Sequence, residues 1–329
     1  MVKAFVIDEA DGKVAGAVRE LEDSALPAEG LRVKVDYSTL NYKDGMVING
    51  IGRLVRTYPH VPGVDMAGVV EESSDPRFSV GDRVAVTGWR VGESYWGGYS
   101  TIQRVNPDYA IKLPDSLSTF EAMSLGTAGL TAMLSIMALE DHHLSPGGEH
   151  PVLVTGAAGG VGSIAVLALS RLGYRVAAST GRMEEEHYLR ELGATEVVAR
   201  QELSEPTNRP LESARFSGAI DNVGGSTLGR LLGQLDPGAS VASVGLAGGS
   251  AFSANVMPFV VRGCNILGID SVTCPNTRRA AAWTRLAEVI PRVTLESLTS
   301  VYGLDDLDRL ADEILVGHVK GRVVIDVNA

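Results

Sequence analysis

The stretch Val152-Leu153-Val154-Thr155-Gly156-Ala157-Ala158-Gly159-Gly160-Val161-Gly162-Ser163 decides the fold. A short β-branched run rises into glycines and small residues, and an apolar run over 164–172 follows at helical spacing and stops at Gly173. Strand, tight turn and helix are the setting in which a glycine fingerprint carries meaning. Small residues let the backbone approach a pyrophosphate, whose charge then rests on a helix N-terminus. The spelling is Ala157-x-Gly159-x-x-Gly162, with alanine in the first position. Turns and close packing explain many bare glycine patterns, but the flanking strand and helix favour a nucleotide site. Its candidate contacts are Ala158, Gly159, Gly160, Val161 and Gly162.

Working outward, the alternation continues. The patterns predict strands at 152–155, 175–179, 196–199, 218–222, 239–244 and 265–270, with helices at 160–172, 183–192, 226–235 and 276–290. That order implies a doubly wound parallel sheet with its ligand at the carboxyl ends of the strands. Residues 1–120 are β-rich instead, with alternation at 31–37, 64–70 and 83–86 and turns at Gly81-Asp82 and Gly97-Gly98. This suits a partly open barrel. Ser118-Thr119-Phe120-Glu121 is a capping box that starts a helix, and a second helix over 129–140 carries Leu130, Met133, Leu134 and Met137 on one side. In the tail, strands at 295–303 and 321–327 flank a helix at 305–316. They are expected to rejoin the first domain, because the nucleotide sheet is complete without them. The expected domains are 1–120, completed by 292–329, and 121–291.

A chain of 329 residues, 45% hydrophobic and 21% charged, has room for two domains and a large core. The net charge of −11 and pI near 5.1 argue against a nucleic-acid backbone as the main partner. An anionic ligand would need a local basic pocket. No apolar run approaches the ~20 residues of a membrane span, and Met1-Val2-Lys3-Ala4-Phe5 lacks the features of a signal peptide. The expected setting is cytoplasmic. Cys264 and Cys274 are too few for a disulfide framework or a four-thiolate zinc lobe, and read as reduced, semi-buried thiols.

The end of the second strand of the nucleotide domain separates NAD from NADP. Arg175-Val176-Ala177-Ala178 ends in Ser179-Thr180-Gly181-Arg182, with no carboxylate until Glu184. A carboxylate there would bond the ribose 2′-hydroxyl of NAD, whereas hydroxyls and a guanidinium suit the 2′-phosphate of NADP. Arg182 otherwise reads as a solvated helix-start residue. Its sign opposes the helix dipole there, so a phosphate partner explains it better.

These features resemble the medium-chain dehydrogenase/reductase superfamily. Asn41-Tyr42-Lys43-Asp44, Tyr58-Pro59-His60-Val61-Pro62-Gly63-Val64-Asp65-Met66-Ala67-Gly68 and Thr87-Gly88-Trp89 narrow the likeness. So do Trp96-Gly97-Gly98, Gly126-Thr127-Ala128-Gly129, Met137-Ala138-Leu139-Glu140-Asp141 and Gly245-Leu246-Ala247-Gly248-Gly249. Together they look like the acrylyl-CoA reductase branch of the quinone-oxidoreductase-like group, from residue 3 to about 327. The resemblance implies an α/β fold with a GroES-like barrel, a Rossmann domain, and C-terminal strands returning to the barrel. It also implies a homodimer, with 265–275 extending the sheet across a two-fold axis. The zinc enzymes of the superfamily carry Gly-His-Glu where this chain has Gly63-Val64-Asp65, and the structural-zinc cysteines are missing. A zinc-independent enzyme is therefore expected.

The implied reaction is hydride transfer from NADPH to the β-carbon of acrylyl-CoA, with protonation at the α-carbon, giving propanoyl-CoA. An enolate forms, so its oxygen needs donors and its α-carbon a proton. Asn41, Tyr42 and Asp44 fall in a loop after the 31–37 strand, which by resemblance faces the nicotinamide. Tyr42 would donate to the oxyanion or hold the cofactor, with a bound water as the alternative proton donor. Asp44 would orient a partner or relay a proton. The plain alternative is a turn stabilised by Asn41 and Asp44.

Other candidate cofactor contacts each compete with a structural role. Thr131 opens the helix of the linker region, where capping is the alternative. Arg200 closes the third strand, where relatives place a 2′-phosphate contact. Asn222 sits beside Gly224-Gly225, where turn-making competes with an adenosine-side contact. Gly245 and Leu246 border the nicotinamide face, Ser271 is a partner for its amide or an edge hydroxyl, and Asn328 lies near a fraying end. Lys43, Arg53, Arg56 and Arg90 are scattered cations available to coenzyme A phosphates. The competing readings are an NADPH-dependent quinone or free-enal reductase and a non-catalytic NADPH-binding protein.

Overall fold

The chain opens with a hairpin, β1 (Val2–Ala10) and β2 (Lys13–Leu21). Asp11 and Gly12 turn it, with φ of 53° and 75°. Two consecutive positive φ values match the right-handed strand twist, which is why an Asp-Gly pair suits the position. In this computed structural model, which describes residues 1–205 and 207–329, the next strands are β3 (Leu31–Thr39), β4 (Asp65–Glu72), β5 (Arg83–Thr87), β6 (Ile102–Val105) and β7 (Ala110–Lys112). Along β3, Leu31, Val33 and Val35 alternate into a core shared with Met66, Val84, Val86 and Tyr99.

Strands β8 (Val152–Val154), β9 (Val176–Thr180), β10 (Glu196–Ala199), β11 (Gly218–Asp221), β12 (Ser240–Ser243) and β13 (Asn265–Gly268) form a six-stranded sheet in the order β10-β9-β8-β11-β12-β13. Every pairing in it is parallel. The order reverses direction at β8, which places the fingerprint at the switch point of a doubly wound sheet. The last strands are β14 (Thr299–Gly303) and β15 (Arg322–Asp326); β15 lies antiparallel on β3, so the tail does return to the first sheet. That sheet has seven strands, ordered β14-β15-β3-β4-β5-β7 with β6 also on β3.

The chain divides into two units. One contains Met1–Thr127, Val272–Ala287 and Pro291–Ala329; the other contains Ala128–Ser271 and Glu288–Ile290. The expected boundary at 120/121 thus moves to the Gly126 break, and most of the expected 276–290 helix joins the first unit. Arg279, fully buried, donates from Nη1 to the Thr87 carbonyl (2.7 Å) and hydroxyl (2.9 Å), and Trp89 N–H donates to the Val272 carbonyl.

Several local expectations need correction. Residues after Asn41 form a helix, α1 (Tyr42–Ile48), rather than a loop. The expected 295–303 strand starts only at Thr299, and its first four residues belong to the helix Arg292–Leu298, because Leu295 and Leu298 bury at helical i, i+3 spacing. The two helices expected from 118 to 140 form one span, α2 (Thr119–Asp141), interrupted at Gly126 (φ 52°, ψ −156°). By length and composition α2 qualifies as a membrane span, which the sequence reading did not expect, yet it is mostly buried inside the protein. The two cysteines are free and buried rather than semi-buried.

Candidate active site

In the second unit, β8 ends at the fingerprint and the helix α3 (Gly160–Arg171) begins after Gly159. Gly156 takes a left-handed φ of 59° to turn the chain. A Cβ on Gly162 would lie 2.3 Å from the Gly156 carbonyl oxygen and 2.7 Å from Ala157 Cα. Only glycine therefore lets the helix approach the turn. The expected backbone contacts, Ala158 to Gly162, fall together around the first turn of α3, where unpaired N–H groups gather.

The neighbouring strand ends build a polar wall. Thr155 Oγ1 donates to buried Asp221 (2.6 Å), and Asn222 donates through N to Thr155 Oγ1 and through Nδ2 to the Thr155 carbonyl (2.7 Å). Asp221 also accepts from Val223 and Gly224 N–H; burial raises its carboxyl pKa, and these donors oppose the rise. The Asn222 carbonyl oxygen Oδ1 is buried with no hydrogen-bond partner in the structure. A Cβ on Gly245 would lie 2.0 Å from the Asn222 backbone oxygen, so this glycine permits close approach of β11 and β12 ends. Next to it, Leu246 is exposed.

Ser179 and Thr180 are buried at the end of β9, and the register Ala199↔Thr180 brings Arg200 beside Gly181. The Arg200 guanidinium lies where a Cβ on Gly181 would be, 2.6 Å from that point to Cζ and to Nη2. Arg200 begins a short helix after β10 rather than closing the strand. Arg182, half-buried, donates its N–H to Thr180 Oγ1 at 3.0 Å. Hydroxyl, glycine and guanidinium thus meet at one strand end, the donor set a 2′-phosphate needs. The unpartnered Asn222 oxygen and the glycine cradle likewise fit a dinucleotide.

Thr131 is buried a turn past the Gly126 break, so it lies inside the helix instead of opening it. Ser271, half-buried, follows β13. The Asn328 amide donates to the Val35 and Asp36 carbonyls, an anchoring role that stands beside its expected cofactor contact. It fastens the C-terminal strand to the sheet.

In the first unit, Asn41 is the N-cap of α1, and Asp44 Oδ2 accepts its backbone N–H at 2.9 Å. Asp44 is fully buried because the helix packs through Gly45, where a Cβ would fall 2.7 Å from Ile314 and 3.0 Å from the Ala311 carbonyl. Its Oδ1 accepts from Val64 N–H at 2.9 Å. Burial is the largest effect on its carboxyl, which is pushed up to about 7, with nearby Asp65 adding to the rise and the bonds from Asn41 and Val64 opposing it. Asn41 Nδ2 contacts Thr39 Oγ1 (2.8 Å), Asp65 Oδ2 (3.0 Å) and Asp44 Oδ2 (3.4 Å). Tyr42, between them, is 42% exposed. Asn41 and Asp44 are thus joined by hydrogen bonds, while Tyr42 between them stays exposed. Lys43 pairs with Glu93 at 2.9 Å, and Arg53, Arg56 and Arg90 are exposed without convergence.

The sequence reading missed Asp65, Tyr99, Thr127 and Arg322. Asp65 and Thr127 are polar side chains inside mostly apolar stretches, a signal that could have found them, whereas Tyr99 and Arg322 each follow a glycine and carry no such signal. Among the described residues, no group of three or more His, Cys, Asp or Glu side chains is placed to hold a metal. Zinc does not fit at Gly63-Val64-Asp65, since Val64 offers no ligand and the Asp65 oxygens are taken by Thr39, Asn41 and Thr127.

Comparison with known proteins follows the two units. Residues 27–115 match the alcohol dehydrogenase GroES-like domain family, and residues 160–288 match the zinc-binding dehydrogenase family. The chain is 55% identical to acrylyl-CoA reductase AcuI of Ruegeria pomeroyi, over 100% of both chains. It is 43% identical to the probable acrylyl-CoA reductase AcuI of Escherichia coli, over 99% of this chain and 100% of the other. Among solved structures, the yhdH oxidoreductase from Salmonella enterica in complex with NADP superposes with a TM-score of 0.96 at 45% identity, covering 98% of this chain and 99% of that one. Bacillus subtilis yhfP with NAD bound gives 0.95 at 41% identity, covering 99% of each chain.

Proposed function

Since the chain belongs to the acrylyl-CoA reductase branch of the medium-chain dehydrogenase/reductase superfamily, we infer that it reduces the carbon–carbon double bond of acrylyl-CoA to propanoyl-CoA with NADPH. The observation that carries the cofactor half is the Arg200 guanidinium seated on Gly181 beside Ser179 and Thr180. When bound, NADPH supplies the hydride that goes to the substrate β-carbon. Ser179, Thr180, Gly181, Arg182 and Arg200 hold the 2′-phosphate, and Ala158, Gly159, Gly160, Val161 and Gly162 receive the pyrophosphate. The Asn222 amide and Gly245-Leu246 border the remaining cofactor, with Thr131 and Ser271 as further contacts of the same unit.

Substrate-side chemistry belongs to the start of α1. Asn41 supplies an amide fixed by Thr39 and Asp65, suited to orienting a thioester oxygen as negative charge develops on it. Asp44 holds a proton near neutral pH because it is buried, and a carboxyl poised there suits acid catalysis. The exposed Tyr42 phenol, or a water it holds, is the group that hands a proton to the α-carbon. Within this reading the enzyme works without zinc, in the cytoplasm. It assembles as a dimer through the free edge of β13 and the exposed Val256, Val260 and Val261 nearby in sequence.

A quinone reductase is the second reading, favoured by the 44% identity to the putative quinone oxidoreductase YhfP of Bacillus subtilis. Steady-state NADPH oxidation with acryloyl-CoA, a benzoquinone and a free enal decides between them. The thioester is expected to give the highest kcat/KM; turnover of quinone alone would overturn the assignment.

A further inference from the structure

Two buried carboxylates from different elements, Asp44 on α1 and Asp65 at the start of β4, meet on the same Asn41 amide. Their surroundings differ sharply. Asp65 accepts from the Thr39 hydroxyl (2.7 Å), the Asn41 amide (3.0 Å), and both the N–H (2.9 Å) and hydroxyl of Thr127. The Thr127 N–H begins the second half of α2, so Asp65 also caps a helix start, where negative charge is favoured. A cation stands close by. The point where a Gly126 Cβ would fall is 2.7 Å from Asp65 Oδ2 and 3.0 Å from an Arg322 guanidinium nitrogen. Gly126, with its positive φ, leaves that corner open to both.

Asp44 has no such cation. It forms no ion pair among the described residues, and the neighbouring Lys43 ammonium is spent on Glu93. The titratable groups that face Asp44 are Asp65 from β4 and the buried Tyr99 phenol, whose hydroxyl donates to the Thr39 carbonyl; Arg322 from β15 acts on Tyr99. The helix Leu307–Leu315 presents Ala311, Ile314 and Leu315 to α1 at Gly45, all apolar. Two carboxylates this close disfavour each other's charge, and Asp44, buried with fewer donors and, among the described residues, no ion pair, is the one whose carboxyl is raised.

We propose that Asp44 and Asp65 are a coupled carboxylate pair bridged by the Asn41 amide, in which Asp65, gripped by Thr39 and Thr127, fixes that amide over Asp44. Asp65 is then a positioning residue: it fixes the Asn41 amide and, by its proximity, adds to the rise that burial imposes on the Asp44 carboxyl. This rests on the assignment of Asn41 and Asp44 to the substrate side.

The test is the pH profile of kcat/KM for acryloyl-CoA in the wild type, Asp44→Asn, Asp65→Asn and Thr39→Val, each with NADPH affinity measured by fluorescence titration as a check on the fold. In the wild type, activity should fall as pH rises through about 7, and Asp44→Asn should abolish that limb. Asp65→Asn should move the limb to lower pH and lower activity at neutral pH severalfold, with NADPH affinity unchanged. Thr39→Val removes a bridge between Asn41 and Asp65 without altering charge. It should lower kcat about tenfold and leave the limb in place. A limb that survives Asp44→Asn overturns the substrate-side assignment itself. A limb lost in Asp44→Asn but unmoved in Asp65→Asn overturns the pair alone. Should Asp65→Asn fail to fold, an unchanged kcat in Thr39→Val refutes the positioning role and a lowered one supports it.

Discussion

Replacing Arg200 by alanine is expected to remove the preference for NADPH over NADH while sparing the rest of the nucleotide site. The guanidinium occupies the space over Gly181, at the end of β9 and beside the buried Ser179 and Thr180 hydroxyls. A charge-assisted hydrogen bond to a phosphate contributes about 1.5–3 kcal/mol. Arg200 is exposed, so solvent screening puts its share near the lower end, about 1.5–2 kcal/mol, or roughly 10- to 30-fold in affinity. NADH makes no 2′-phosphate contact and should bind within about twofold of the wild type. Gly181→Ala is the companion perturbation. Its Cβ would meet the Arg200 guanidinium at 2.6 Å, and because that is the end of a flexible side chain the fold should tolerate it while the cation swings aside. Discrimination should then fall by a smaller factor, about threefold. Calorimetric titration with NADP, NAD, 2′-AMP and 5′-AMP reads both effects. If Arg200→Ala weakened the two coenzymes equally, or left their ratio untouched, the 2′-phosphate assignment would be refuted.

Further outcomes follow from the same geometry. Gly162→Val should abolish NADPH binding and lower the melting temperature, because its Cβ would strike the Gly156 and Ala157 backbone, which has no room to move; retained binding by titration would show the turn is looser than drawn. Asp44 carries a raised carboxyl pKa, from 3.8 to about 7, so between those values the folded chain keeps a proton that the unfolded chain has released. Its stabilising effect is therefore greatest at low pH and is lost as pH climbs toward about 7, on the order of 4 kcal/mol across the window. Urea denaturation from pH 4 to 8 should show this slope in the wild type minus Asp44→Asn, and equal slopes would contradict it. Charge placed on the exposed ridge by Val260→Asp with Val261→Asp should shift the sedimentation coefficient toward monomer; an unaltered coefficient would move the dimer interface elsewhere.

Local patterns recovered the parts of the fold that depend on them. The β8–α3 fingerprint and the parallel strands were legible because a buried parallel strand reads as a short β-branched run, and each is punctuated by a helix. The helix α1 was not, since seven residues with Gly45 among them carry too little periodicity; its Asn41-x-x-Asp44 start resembles a capping box but lacks the usual Glu. The start of the 295–303 strand was misplaced in the opposite sense: Leu295 to Leu298 run straight into a true strand, and only their burial at i, i+3 spacing marks them as helix. At the site, the phosphate-binding end was readable because strand-end chemistry is local. The environment of Asp44 was not, because Asp65, Tyr99, Thr127 and Arg322 converge from places far apart in the chain, and no spacing rule links them.

The most direct test of the account follows the two hydrogens added to the substrate. Acryloyl-CoA is reduced once with NADPH deuterated at the nicotinamide C4 position on the transferred face, and once with ordinary NADPH in D2O, and the product is analysed by NMR and mass spectrometry. The account predicts propanoyl-CoA with the coenzyme deuterium on the β-carbon and the solvent deuterium on the α-carbon. Coenzyme label at the α-carbon, or no propanoyl-CoA while a quinone is consumed, would contradict it.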